Sequence, residues 1–253
     1  MTSAIYEYKE VKSAILDLKS KPTNTSSLET QLLFGEKVKV NKIENNWSYI
    51  CSVSDNYYGW IKNENIGNVT KKNYKVKNVV AFVFKEPNFK SKVILKLFLN
   101  SSLELIDFEK DWAKILVDNE IGFVHKKTIL NGNKNFKNWI NTCIKFRNVP
   151  YLWGGKTFEG IDCSGLVQVS LQFCNINFPR NTGQQINFES YQIKSTNKIS
   201  RGCLLFWDGH VGISLNKNEL IHSNLYHLGV EIENIDACVK RIGKIKEIKK
   251  VII

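Results

Sequence analysis

Two stretches in the first half of the chain repeat one another: "VKVNKIENNWSYICSVSDNYYGWIKNENI" and "LELIDFEKDWAKILVDNEIGFVHKKTI". Each runs as an alternating strand, a polar turn, a Trp-led strand, a second turn, and a strand opening on Gly-aromatic-aliphatic. Trp47 answers Trp112 and Gly59 answers Gly122, one small-domain length further on. Alternation of period 2 between short polar turns is a strand signal, and its recurrence at this spacing predicts two copies of a small all-β unit. That excludes a helical bundle or a doubly wound sheet for the first half.

From Trp139 the period changes. Trp139, Ile140, Cys143, Ile144 and Phe146 fit one helical face, and "NVPYLWGG" then ends the helix with Gly154 and Gly155 in a turn. A second helical stripe follows Cys163 through Leu166, Val167, Ser170, Leu171 and Cys174. Strand patterns come next, in "GCLLFW", "HVGISL", "LIHSNL" and "GVEIENI". The second half therefore reads as an α+β domain, helices first and an antiparallel sheet after. "KKTILNGNKNFKN" links the halves. The expected boundaries are 1–72 and 73–131 for the barrels and 132–253 for the α+β domain.

Composition limits the classes of function. The chain has 253 residues, 43% of them hydrophobic, enough for ordinary globular cores. Its longest apolar runs, 79–84 and 93–99, fall far short of the roughly 20 residues a membrane span needs. The opening "MTSAIYEYKEVKSAILDLKSKP" mixes Glu and Lys through its apolar positions and lacks the h-region of a secretory signal, so a cytosolic protein is expected. The net charge of +12 comes from lysines scattered among asparagines, without an arginine cluster or an aromatic-plus-arginine stacking pattern. We read it as compositional bias, with neither nucleic acid nor membrane as partner, and a monomer as the expected state. Six cysteines without a CxxC read as free thiols.

One of those cysteines carries chemistry. In "GIDCSGLVQVSLQFC" Cys163 sits in the first turn of the predicted helix, capped by Asp162 or its neighbour, where the helix dipole lowers the cost of a thiolate. A thiolate needs a base, and His210 opens a strand whose alternate residues face the core, so its own side chain points the other way. His222 follows on the next strand. The two rings share a face only if His222 pairs with Gly212 or Ser214, which demands an odd-length loop or a bulge. His210 is then the general base and His222 orients its second ring nitrogen. Cys51, Cys143, Cys174, Cys203 and Cys238 read as packing residues, and His125 and His227 as surface ones.

The order "YLWGG", "DCSGL", "PRNTGQQ", "GCLLFWDGHVGISL", "LIHS" resembles the NlpC/P60 family of papain-like cysteine peptidases across residues 132–253, and the repeats resemble bacterial SH3-like barrels. The fold class implied is α+β, a papain-like catalytic domain preceded by two small all-β barrels. The resemblance implies Cys163 as nucleophile, His210 as base and His222 as third member, with no metal or cofactor. Trp153, Arg180 and Gln184 are expected to help shape the site. "ETQLLFGEKV" and "DNYYGW" resemble barrel segments of enzymes that hydrolyse the γ-D-glutamyl–diamino acid bond of murein peptides. In those enzymes the first barrel closes one end of the cleft, and the free amine of an amino-terminal L-alanine is held. Carried over, the amine ligands are Asp162, Ser164, Tyr57 and Glu29, with Glu36 as the alternative acid. Asp162 beside the nucleophile makes sense if its charge is directed to a cation on the substrate. Recycling of murein peptides is the implied role. An exported hydrolase of intact peptidoglycan, and a binding module with a vestigial catalytic domain, stay open as alternatives.

Overall fold

The computed structural model describes residues 7–134 and 136–252. The first six residues, part of the segment read for an export signal, and Asn135 in the linker lie outside them. The chain divides into two compact units, residues 1–134 and 135–253.

The first unit is all β and has two sheet systems. Seven strands run in the order Leu28–Leu33, Ile15–Lys19, Tyr58–Lys62, Trp47–Ser52, Lys37–Glu44, Glu7–Val11, Ile66–Asn68. The second system joins a five-stranded sheet with a three-stranded one, the latter made of Ser102–Leu103, Tyr74–Val76 and Ile129–Asn131. The repeat in the sequence reappears as register: Ile50 stands opposite Gly59, and Ile115 opposite Gly122. The glycines are needed for close approach. A Cβ on Gly59 would lie 2.0 Å from Leu18 Cδ2, and one on Gly122 would lie 2.5 Å from Val83 Cγ1. The hairpin turns differ: Asp118 and Asn119 take positive φ (44° and 68°) in a two-residue turn, whereas Val53–Tyr57 forms a longer loop.

The two barrels share material. Phe34, which leaves a strand of the first, is buried in the core of the second among Val76, Val83, Leu97 and Ile115. Its carbonyl accepts from the Ser102 N–H, and the positive φ of Gly35 (77°) turns the chain where any Cβ would strike the Ser102 carbonyl. Buried Glu10 ties the crossing together by accepting from Lys12, Lys72 and Thr70.

The second unit packs helices on one antiparallel sheet. Helix α1 (Trp139–Ile144) starts at Asn138, whose Oδ1 accepts from the Asn141 N–H, and buries Trp139, Ile140 and Cys143. It is shorter than the sequence pattern suggests, and Ile144 is exposed. Helix α2 (Cys163–Phe173) is buried on almost every side rather than along one stripe, because α1 and two sheet strands enclose it. Helix α3 spans Thr182–Asn187 and α4 Ile235–Ile242. The sheet runs Ile193–Ser195, Glu247–Val251, Cys203–Trp207, His210–Ser214, Glu219–Asn224, Gly229–Asn234.

The sequence pattern carried "GVEIENI" as strand to its end, but the chain turns helical at Ile235. Asn234 caps α4 by accepting from the Ala237 N–H, Asp236 stands in its first turn, and Lys240 and Arg241 stand in its last. These start and stop signals are present in "NIDACVKRI".

Candidate active site

The first turn of α2 presents the sulfur. Asp162, with extended backbone (φ −95°, ψ 178°), caps the helix by accepting the Gly165 N–H at 2.7 Å. Cys163 is therefore the first helical residue. A Cβ on Gly165 would lie 2.5 Å from the Gly155 carbonyl, so only glycine lets the turn after "YLWGG" pack this close to the nucleophile.

The base comes from the sheet. Ile213 pairs with Ile221 and Ser214 with Leu220, a register that sets His222 across from Gly212. Leu215 N–H closes on the Glu219 carbonyl, leaving the odd-length loop the geometry requires. His210 and His222 thus share a face, and His210 Nε2 meets His222 Nδ1 at 2.8 Å. Cys163, His210 and His222 line one cavity of about 290 Å3 with Tyr151, Trp153 and Arg241. Trp153 is 69% exposed at its rim.

The electrostatics differ from the primed thiolate expected of a helix start. The Cys163 thiol is pushed up by burial and by the neighbouring Asp162 carboxylate, against weaker help from Thr182, the Val211 N–H and Arg180. Burial, with Arg241 adding to it, pulls His210 down to about 4. Burial, with His210 adding to it, takes His222 down to about 3. Each group at rest favours its neutral form, so the pair ionises by moving one proton from sulfur to imidazole.

The substrate-binding expectations fare unequally. Asp162 does not direct its charge outward: Arg180 Nη1 donates to Oδ1 at 2.9 Å and Nη2 to Oδ2 at 2.6 Å. The Gly154 N–H reaches Oδ2 and the Ser164 hydroxyl reaches Oδ1. Ser164 in turn accepts from Arg180 Nη1. Asp162 and Ser164 are thus tied to a guanidinium that is 1% exposed, a network that holds the helix start and its nucleophile in place. Arg180 also donates to the Gly155 carbonyl, which makes it the anchor of this network. In α3 the inward residue is Gln185, donating to the Ser164 and Pro179 carbonyls, while Gln184 is exposed. Tyr57 and Glu29 lie in the first unit and bond each other, hydroxyl to carboxylate, at 3.2 Å. Glu36, the alternative acid, lies there also.

Sequence reasoning missed a second carboxylate–arginine pair, behind the histidines. Glu233 Oε1 stands 2.7 Å from His222 Nε2, and Arg241 grips both oxygens of Glu233, Nη1 donating to Oε2 at 2.8 Å and Nη2 to Oε1. Arg241 also stacks on Tyr226, 4.2 Å from the ring centroid. His227, expected at the surface, reaches Glu233 Oε2 at 3.6 Å. Donor atoms of His222, His227 and Glu233 lie within 4.8 Å of one another, but Arg241 already supplies the cation that this carboxylate faces. The cluster is an ion-pair network in form. All six cysteines are free, and burial pushes Cys143 and Cys238 up to about 12, as packing residues rather than nucleophiles.

A cysteine heading a buried helix, set against an antiparallel sheet that carries two coupled histidines, defines a papain-like thiol hydrolase. Comparison with known proteins narrows this. The NlpC/P60 family profile matches residues 148–241, and the bacterial dipeptidyl-peptidase SH3 domain profile matches residues 18–66. The chain carries an NlpC/P60 cysteine peptidase domain, with an SH3-like region ahead of it. It is 25% identical over 248 residues to dipeptidyl-peptidase 6 of Lysinibacillus sphaericus, covering 89% of this chain and 91% of that protein. Identity to the γ-D-glutamyl-L-lysine dipeptidyl-peptidase of Bacillus subtilis is 25% over 227 residues, 81% of this chain and 75% of that one. A crystal structure of an NlpC/P60 family protein from Bacillus cereus shares the fold, with a TM-score of 0.78 over 91% of this chain and 95% of that one, at 21% identity.

Proposed function

We propose that the protein is a cysteine peptidase that hydrolyses the γ-D-glutamyl–diamino acid bond of murein peptides bearing a free amino-terminal L-alanine. The observation that carries the chemistry is the gathering of Cys163, His210 and His222 around one cavity. The peptide class rests on the relatives named as dipeptidyl-peptidases, which align along most of the chain.

With His210 Nε2 engaged by His222, Nδ1 is the nitrogen left to take the Cys163 proton. The thiolate attacks the γ-carbonyl carbon of D-glutamate, and N–H groups at the start of α2 receive the oxyanion. Collapse breaks the C–N bond while Nδ1 returns its proton to the leaving amine. Water, deprotonated by the same nitrogen, then hydrolyses the thioester and frees L-Ala-D-Glu. Asp162 is bonded to Arg180 beside the nucleophile. The reading takes released murein peptides as the substrate and recycling in the cytoplasm as the role.

The test is cleavage of L-Ala-γ-D-Glu-meso-diaminopimelate beside its N-acetylated form and purified sacculi. Turnover of the free-amine peptide alone, lost in Cys163→Ala, is expected. Equal cleavage of both peptides would remove the amine-reading pocket, and release from sacculi would replace the recycling role by wall hydrolysis.

A further inference from the structure

The hydrogen-bond chain through the two histidines has a direction, and its far end lies at a residue outside the expected triad. His210 Nε2 and His222 Nδ1 stand 2.8 Å apart, so one proton lies between them and the donor is set by the tautomers. If His222 carries its proton on Nδ1, it donates to His210 Nε2, and neutral His210 must then hold its own proton on Nδ1. That nitrogen would face the thiol already protonated, and no base would exist. Catalysis needs the opposite arrangement, with His210 donating through Nε2 and His222 protonated on Nε2.

The structure contains a group that enforces this arrangement. His222 Nε2 is buried and has no aligned hydrogen-bond partner, and the Glu233 carboxylate stands 2.7 Å from it. A lone pair on Nε2 at that distance would meet the lone pairs of a full anion, whereas an N–H there is stabilised by it. Glu233 cannot avoid the anionic form, because Arg241 offers only donors and grips both of its oxygens. The remaining neighbours do not reverse the sign: His227 reaches the other oxygen, and the Cys238 thiol on α4 bonds Glu233 as a neutral donor.

We propose that Glu233, held by Arg241, is a positioning residue that fixes His222 and through it His210 as Nε2–H tautomers, so that Nδ1 of His210 is free to take the thiol proton. This rests on the thiol-peptidase reading of Cys163 and His210 but not on the identity of the peptide. When the proton moves to Nδ1, the resulting imidazolium is stabilised along the same line of rings by the distant carboxylate, with no proton needing to reach Glu233.

The direct measurement is 15N NMR of the histidine side chains in the resting full-length protein. Shifts showing both His210 and His222 protonated at Nε2 support the proposal, and Nδ1–H on His222 overturns it. The Glu233→Met variant should lose the tautomer bias, lower kcat by about 10- to 100-fold with KM within about threefold, and slow Cys163 alkylation near neutral pH. Glu233→Asp, which keeps a carboxylate, should recover most of the loss. Should Glu233→Met fail to fold, the Glu233→Met, Arg241→Met double variant removes the unpaired guanidinium and takes its place. Unchanged tautomers and kcat in a folded variant overturn the proposal. If the wild type turns over no murein peptide yet shows both Nε2–H tautomers, the substrate reading fails and the tautomer assignment stands.

Discussion

At the nucleophile end of the site Asp162 meets Arg180, and at the base end Glu233 meets Arg241, each pair through two hydrogen bonds. The first pair is closed off from water: Arg180 is 1% exposed, and its partners include Ser164 and the Gly155 carbonyl. The second is open on one side, its arginine side chain 24% exposed and stacked on a solvent-facing Tyr226. Both carboxylates act on a neighbour they do not cover. Asp162 raises the thiol while capping the helix that carries it, and Glu233 stands 2.7 Å from His222 Nε2. A buried pair of this kind is costly to break and so fixes geometry, whereas a half-open one tunes protonation at lower structural cost.

That contrast can be broken most decisively at Arg180. Arg180→Met strands a buried carboxylate, and the loss of stability should be about 3–5 kcal/mol by urea denaturation. Asp162→Asn should cost a similar amount while moving the thiol the other way. Without the Asp162 charge the thiol pKa falls and alkylation at pH 7 speeds up, whereas Arg180→Met slows it. Equal and parallel effects on the thiol would show that the pair acts by packing alone.

A smaller effect is expected from acid at the base end. His210 titrates near 4 and His222 near 3 in the folded protein, against about 6.5 unfolded. Between those values the unfolded chain binds protons the native one refuses. Stability is therefore full above pH 6.5 and falls as pH drops toward 4. The urea midpoint followed against pH measures this, and the curve should flatten in His222→Gln. Arg241→Met comes last, with a stability change of about 1 kcal/mol, because water replaces part of what the guanidinium supplies. A cost matching that of Arg180→Met would erase the distinction between the two ends.

How much of this could be read from the chain differs between the same two ends. Asp162, Cys163, Ser164 and Arg180 were named from "DCSGL" and "PRNTGQQ", but their bonding to one another was not, since residues 18 positions apart give no local sign of a buried ion pair. Asp162 was accordingly expected to meet a substrate cation and instead meets Arg180. His210 and His222 were legible together because the period of a strand is 2 and the hairpin between them is short. Glu233 and Arg241 were not, although the cap at Asn234 announced the helix that brings Arg241 back across the sheet end. The barrels were legible through Trp and Gly spacing, and their common core was not, because Phe34 packs across a boundary drawn by repeat length.

Phe34 also bears on how such a chain can be inherited and cut. Genes assembled by exchange of modules tolerate seams where no core crosses, and the natural seam by repeat length, near residue 72, is not one of them. A recombinant that swapped only the first barrel would take with it a ring that fills the centre of the second. The two barrels are therefore expected to be transmitted together, as one cassette of two repeats.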